Sequence, residues 1–228
     1  MKISIIIPVL NDAHQLAQQL ARLQEVRQSG HEVIVVDGGS SDETTQVQDG
    51  LCDIFSVTRP GRARQMNRGA ELARGDSLLF LHADTCLPPD FSQLIERALH
   101  LPGPVWGRFD IRLSGAGQIF TVIAWMMNLR SHVSGVVTGD QGLFVLRQAF
   151  HQVGGYPDIP LMEDVALSKK LRRVAWPVRI RTAAVTSSRR WEQRGIVPTI
   201  LLMWWLRLLY FCGARPASLA RKYYGRSS

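Results

Sequence analysis

Cysteine is scarce in this chain, and its spacing follows no pattern. The 228 residues hold three, Cys52, Cys86 and Cys212. An odd count at such distances excludes a disulfide framework, makes no metal-ligand set and points to a reducing, cytoplasmic setting. The thiols read as buried or incidental. A secretory leader is not expected: the first apolar run, Ile3 to Leu10, contains Pro8 and follows a single Lys, so it reads as a buried strand. Low-complexity linkers and internal repeats are missing. At 46% hydrophobic content, 228 residues suit one α/β domain better than two. No Gly-x-Gly-x-x-Gly follows the first strand, where Pro8-Val9-Leu10-Asn11-Asp12 stands instead, and a dinucleotide-dependent dehydrogenase is thereby excluded.

Acidic residues nearly vanish after Asp164. Of 27 Lys and Arg, 14 lie beyond it; of 19 Asp and Glu, only Glu192 does, within a net charge of +8. A basic tail favours an anionic partner such as a phospholipid surface or nucleic acid; the bland alternative is a solvated face. Basic and aromatic residues are not interleaved as in an RNA-binding motif, so no nucleic acid is expected. Residues 196–212 form an apolar run, short of the roughly 20 residues a membrane span needs. The run contains Arg207 and has Arg on both flanks, while Trp204, Trp205 and Tyr210 suit the headgroup region. An interfacial helix is expected rather than a spanning one. A buried helix or a dimer contact stays equally open.

Residues 3–10 and 32–36 read as continuous β-branched strands, as in a parallel sheet covered on both faces. Between them Asn11-Asp12 can cap a helix carrying Leu16, Leu20 and Leu23 at helical spacing, which Gly30 stops. Ser41 or Asp42 caps a short helix through Val47. A third strand is expected over 53–57 and a fourth over 77–81, with a basic loop and helix between them. Pro88-Pro89-Asp90 opens another helix through Leu99. This alternation implies parallel pairing with right-handed crossovers. The pattern then changes: a strand over 105–113, an apolar helix over 118–130, a turn at 139–142, a strand over 143–146, a second turn at 154–157 and a helix over 163–173. We divide the chain into a domain over 1–190 and a basic, apolar helical extension over 191–228, either part of the same folding unit or a membrane-surface element.

Three apolar runs end in acid-bearing loops: Val33 to Val36 before Asp37-Gly38-Gly39-Ser40-Ser41-Asp42, Ser77 to Leu81 before His82-Ala83-Asp84, and Leu161-Met162 before Glu163-Asp164. In an open parallel sheet, ligands bind beyond the carboxyl ends of the strands. Carboxylates gathered there suit a hard divalent cation and the phosphates it accompanies. Asp37 can accept hydrogen bonds from a uracil N–H or a ribose hydroxyl, or it closes an Asx-type turn. Gly38-Gly39 permits close backbone approach. Asp42 is equally a helix cap. Arg62, Arg64 and Asn67, ahead of a helix N-terminus, read either as a diphosphate clamp or as ordinary solvated groups. Glu163-Asp164 is either favourable charge at a helix N-terminus or a general base near an acceptor hydroxyl.

In order and spacing, Ile5-Ile6-Ile7-Pro8, Val35 to Asp42, Leu81-His82-Ala83-Asp84 and Glu163-Asp164 resemble a family 2 glycosyltransferase of GT-A fold, over roughly residues 1–175. The segment Gly61 to Asn67 is similar to a small bacterial branch of that family. The resemblance implies a mostly parallel α/β sheet flanked by helices, a nucleotide-sugar donor, a divalent metal (Mn²⁺ or Mg²⁺) and inversion by direct displacement. It gives Asp37 the nucleotide base, with Pro8, Gly38, Arg62, Arg64, Asn67, His82 and Ala83 around the donor. It gives Asp84 the metal and Asp164 the role of base beside Glu163. The family pattern is Asp-x-Asp; here His82 replaces the first Asp, and would hydrogen-bond ribose or add a nitrogen ligand suited to Mn²⁺. Asp140 and Gln141 fit an acceptor-side loop. Arg189-Arg190-Trp191 is similar to the end of the Gln-x-x-Arg-Trp motif of processive members without its Gln, and Arg190 and Trp191 would steady diphosphate or acceptor.

The basic, aromatic C-terminal run makes a lipid-like acceptor, such as a carotenoid acid or polyprenyl carrier, the expected partner, with the enzyme peripheral on the inner face of the cell membrane. Two rivals remain. A sugar-phosphate nucleotidyltransferase would want a Gly-rich, Lys/Arg-bearing loop after strand one. A non-catalytic scaffold would have no need of Asp37, Asp84 and Asp164.

Overall fold

Ile3, Ile5, Ile6, Ile7 and Val9 all lie in the core, as expected of a strand covered on both faces. The computed structural model describes residues 1–225, except the side chains of Arg190 and Arg194. The expectation placed on Arg190 therefore lies outside the described residues. Eight strands form one sheet: β1 Ile3–Val9, β2 Glu32–Asp37, β3 Ile54–Val57, β4 Ser77–Phe80, β5 Thr85–Cys86, β6 Trp106–Leu113, β7 Leu143–Leu146 and β8 Val178–Thr186. Their order is β3-β2-β1-β4-β7-β6-β8-β5. β3, β2, β1 and β4 run parallel. β7 is antiparallel to both β4 and β6, while β8 runs parallel to β6 and antiparallel to β5. The sheet is thus mixed, and the change of pattern seen in the sequence after residue 100 coincides with β7 entering antiparallel.

Among the described residues, eleven α-helices accompany the sheet: α1 Ala13–Arg22, α2 Gln24–Gln28, α3 Thr44–Val47, α4 Arg62–Leu72, α5 Phe91–His100, α6 Gln118–Ser134, α7 Arg147–Gln152, α8 Glu163–Leu171, α9 Arg189–Arg194, α10 Ile196–Phe211 and α11 Pro216–Tyr224. Alternate residues of each central strand feed two cores. Ile5, Val33, Val35 and Leu79 meet Leu16 and Leu20 of α1 and Ile95 of α5. Ile6, Ile34, Val36 and Leu78 meet Met66 and Ala70 of α4, Phe150 of α7 and Leu167 of α8. The result is three layers, helices on both faces of a sheet. Two expectations need adjustment. The helix expected from Ser41 or Asp42 is the single turn Thr44–Val47, and the helix expected over 118–130 continues to Ser134, where Gly135 at φ 61 terminates it.

Chain order sets where a ligand can sit. From β1 the chain steps to β2 and β3, then crosses back to β4 on the other side of β1. The carboxyl ends of β1 and β4 therefore flank a topological switch point, where open α/β sheets bind ligands. Two polar devices stiffen this edge. The Gln65 side-chain amide donates to Val9 O at 2.7 Å and Val36 O at 2.9 Å, tying β1 to β2. Fully buried Arg108 donates to Asp110 at 2.7 Å, which Arg179 of β8 also holds in a bidentate pair. Burial disfavours the charge on Arg108 while Asp110 favours it, and the net pKa falls.

The C-terminal helices pack over the site. Leu206 of α10 and Leu219 and Tyr223 of α11 are buried with Val136, Met162 and Val165. The other side of α10 stays open: Val197, Leu201, Trp204, Trp205, Leu208 and Phe211 are exposed. Among the described residues, no helix is long and apolar enough to cross a membrane.

Candidate active site

The loops leaving β1 and β2 are clasped together. Asn11 takes a left-handed conformation at φ 52. Its side-chain oxygen accepts the Ser41 N–H at 2.8 Å, and its own N–H donates to Ser40 Oγ at 2.8 Å. Asp37 is buried, and its carboxylate accepts both the N–H and the hydroxyl of Ser40. The Asx-type turn is the role observed. Asp42 accepts the Ala13 N–H and the Thr44 hydroxyl, which holds its pKa down. Gly38 packs on the Gln65 side chain, where a Cβ would lie 3.2 Å from Nε2.

A cleft of about 360 Å³ opens at the switch point. One wall comes from the ends of β1 and β4, with Asp12, His82 and the exposed Asp84. Burial, and then the charge of Asp84, pushes the Asp12 carboxyl up. The His82 ring lies directly against Gly139; a Cβ there would come within 2.4 Å of the imidazole. Arg62, at the start of α4, reaches the same cleft. It loses hydration, yet the fields of Tyr224, Glu163, Tyr223 and Asp164 together raise its pKa.

The facing wall is the N-terminus of α8. Met162 precedes it at φ 69, a strained conformation for a side chain of this size. Glu163 and Asp164 form the first helical turn, where the helix dipole favours negative charge. Asp164 accepts the Val165 N–H at 2.7 Å and the Gly139 N–H at 3.3 Å. Burial raises its pKa; the Val165 N–H and Arg207 oppose this, and Asp140 adds to it. Burial, with Asp164 beside it, raises the Glu163 carboxyl to about 7. A carboxylate raised in this way is a stronger proton acceptor near neutral pH. Asp140, Arg189, Trp191, Arg207 and Tyr223 complete the lining.

The structure thus brings Arg62, His82, Asp84, Asp140, Glu163, Asp164 and Trp191 to one cleft. Apart from Arg190, whose side chain lies outside the described residues, the remaining sequence candidates do not line it. Pro8 pairs with Val36 inside the sheet, and Ala83 is buried. Arg64 points outward to Asp158, at 2.9 Å. Asn67 holds the backbone of Tyr156 at both its N–H and its carbonyl, at 3.0 and 2.8 Å. Gln141 is fully buried and closes a capping box with Thr138, its side-chain oxygen also accepting the Ser131 hydroxyl. Conversely, Asp12 was read as a helix cap, but its side chain caps nothing and lines the cleft. Among the described residues, no group of three or more His, Cys, Asp and Glu is assembled to hold a metal ion.

Residues 4–149 match Glycosyl transferase family 2. An uncharacterized glycosyltransferase of Mycobacterium tuberculosis is 32% identical over 190 residues, covering 78% of this chain and 72% of its own length. A poly-beta-1,6-N-acetyl-D-glucosamine synthase of Staphylococcus aureus is 25% identical over 216 residues, and this chain spans 52% of it. Among solved structures, glucosyl-3-phosphoglycerate synthase of M. tuberculosis, in complex with Mn²⁺, UDP and glucosyl-3-phosphoglycerate, aligns with a TM-score of 0.65 at 19% identity, over 93% of this chain and 80% of that one. A mannosyltransferase from Pyrobaculum calidifontis, in complex with GDP-Man and Mn²⁺, aligns with a TM-score of 0.64 at 17% identity, over 82% of this chain and 56% of that one. The match over most of the strand-and-loop framework that builds the cleft is decisive: the chain belongs to glycosyl transferase family 2 and takes the GT-A fold.

Proposed function

We propose that this chain is an inverting glycosyltransferase that moves one sugar from a nucleotide-diphosphate donor to a hydroxyl of a lipid-like acceptor at a membrane surface. The observation that carries the reading is the meeting of Asp84 and Asp164, far apart in sequence, in the lining of one cleft that Arg62 also enters. Asp164 is the base. It takes the acceptor hydroxyl's proton as that oxygen bonds to the anomeric carbon, while the bond from that carbon to the diphosphate oxygen breaks and the diphosphate leaves with the electron pair. Its carboxyl pKa is raised, first by burial, which makes it a stronger proton acceptor than a free carboxylate. Arg62 and Arg189 line the cleft as cations for diphosphate oxygens. Asp37, with Gly38 and Pro8, shapes the loop beneath the nucleotide rather than reaching into the cleft.

A divalent cation, Mn²⁺ or Mg²⁺, fits the Asp84 wall. Asp84 would hold it, with Asp12 beside it: burial and then Asp84 raise the Asp12 carboxyl, while Arg189 opposes them. Such a cation would supply Lewis-acid stabilisation of the departing diphosphate. Relatives solved with Mn²⁺ and UDP or GDP-Man support both donor class and metal. The open apolar face of α10 supports the membrane surface.

The test is a thermal-shift panel of nucleotide sugars with and without Mn²⁺, followed by donor hydrolysis. A donor that binds raises the melting temperature by mass action. Hydrolysis that disappears in Asp84→Ala supports an enzyme. No shift with any donor plus metal overturns the proposal.

A further inference from the structure

Beside the cleft lies a second cavity of about 450 Å³ between α6 and α10. Ile123, Met126, Leu129, Val133, Ile200 and Trp204 form its apolar walls. Met127, Trp191, Met203 and Arg207 border both cavities, so the two spaces adjoin. Its size falls within the roughly 300–1,000 Å³ typical of small-molecule sites.

Two arginines line this second cavity, and one of them, Arg207, also borders the cleft. Arg130 of α6 donates one N–H to Thr138 Oγ1 at 3.2 Å. Its Nε and Nη1 are buried and have no partner. Donors left unmade on a buried cation are costly and call for an explanation. Arg207 of α10 faces the same region: burial, then Arg207, brings Arg130 down to about 10, and burial lowers Arg207 as well, against the opposing fields of Asp164 and Asp140. The nearby carboxylates are Asp140 and Asp164. Neither makes an ion pair with Arg130 or Arg207 among the described residues, and Asp140 Oδ1 is itself buried without a partner. The structure pairs a doubly cationic corner with an apolar trough.

We propose that the acceptor is a single-chain amphiphile whose anionic head group is received by Arg130 and Arg207, and whose hydrocarbon chain lies in the groove between α6 and α10. This rests on the transferase reading above and names the acceptor class for it. The head group sits beside Asp164, so a hydroxyl next to the anion meets the base. A longer chain continues over exposed Trp125, Leu129 and Val133 of α6 and Leu201 and Trp205 of α10. A second copy of this chain would bring no matching counter-charge from its C-terminal region. Beyond Asp164 that region has one acidic residue, Glu192, whose carboxylate already accepts the Ser188 hydroxyl at 2.7 Å.

The experiment titrates the full chain by calorimetry with decyl phosphate, decanol and inorganic phosphate, each below its aggregation threshold. Decyl phosphate should bind, with decanol and inorganic phosphate each weaker by about tenfold or more. From hexyl through octyl to decyl phosphate, affinity should rise about fourfold per methylene buried. Arg130→Gln and Arg207→Gln should each weaken decyl phosphate by about tenfold or more, with partial rescue by Lys. If either variant fails to fold, the ligand series on the unaltered chain still decides. Decanol or inorganic phosphate binding as tightly as decyl phosphate overturns the proposal, as does an absence of chain-length dependence. A dimer that closes the groove and resists decyl phosphate also overturns it. UDP with Mn²⁺, titrated in parallel, separates the two claims. UDP binding without decyl phosphate binding removes this acceptor class and spares the transferase; the converse removes the donor reading and spares the groove.

Discussion

His82 and Gly139 touch ring to backbone, so closely that a single added methyl would sit 2.4 Å from the imidazole Cε1. The contact joins the loop after β4, which carries Asp84, to the turn before β7, which carries Asp140 and donates to Asp164. The two walls of the cleft therefore meet at a position where only a hydrogen fits. Gly139→Ala should destabilise the fold by about 1–3 kcal/mol through overpacking and abolish donor hydrolysis. Adding His82→Ala should recover most of the stability without restoring activity. Urea unfolding of the single and double variants checks this, and a Gly139→Ala variant of unchanged midpoint would refute the contact.

Glu163 is buried beside Asp164, and its carboxyl is raised from 4.5 to about 7. The folded chain thus holds this proton more tightly than the unfolded chain does. Stability should fall as pH rises from about 4.5 through 7 and stay lower above that window. Glu163→Gln removes the penalty, so it should gain roughly 1–3 kcal/mol at pH 8 and nothing below pH 4. Melting temperatures of both proteins across pH 4–8 would show curves that converge at the acid end.

Asp84 and Asp164 should separate binding from chemistry. Asp84→Ala should lose the thermal shift produced by donor with Mn²⁺. Asp164→Asn should keep that shift and lose about 10²–10⁴ in turnover, the usual contribution of a positioned base. A variant at Asp164 with normal turnover would remove it from the reaction.

Arg64 and Asn67 were candidates for one nucleotide clamp, yet they have different duties. Arg64 forms an exposed ion pair with Asp158. Arg64→Ala should change stability by less than about 1 kcal/mol and leave nucleotide binding intact. Asn67 satisfies two backbone groups of Tyr156, so Asn67→Ala should cost about 1–3 kcal/mol. Hydrogen exchange localised to residues 154–157 would report the loosened turn.

Trp204 and Trp205 are exposed on the open side of α10. Replacing both with Ser should abolish flotation with anionic liposomes while leaving donor hydrolysis in solution unaltered. Equal flotation of the altered and unaltered chains would remove the basis for membrane contact.

The central strands were legible because Ile and Val dominate β1 and run unbroken from Val33 to Val36 in β2. β8 was not read as a strand. Val178-Arg179-Ile180-Arg181 alternates apolar and polar residues, but Thr182-Ala183-Ala184 interrupts the pattern where the pairing with β6 shifts register, and what holds the strand is that pairing and the bidentate contact of Arg179 with Asp110. Asp37 left two readings open because a turn and a ligand contact ask for the same residue in the same place. Asp12 was missed as a cleft residue since its neighbour in sequence starts a helix, whereas its neighbour in space is Asp84. Arg130 gave no signal, and Arg207 counted only as a charge that interrupts an apolar run. A lone arginine in an apolar helix reads as a solvated charge until a second helix is laid beside it.

Three of the six tryptophans, Trp125, Trp191 and Trp204, border the trough between α6 and α10, while Trp106 is wholly enclosed elsewhere. The protein consequently carries its own optical gauge. Displacing water from that trough should shift the emission of half its indoles toward the blue, against a steady background from Trp106, with no label attached.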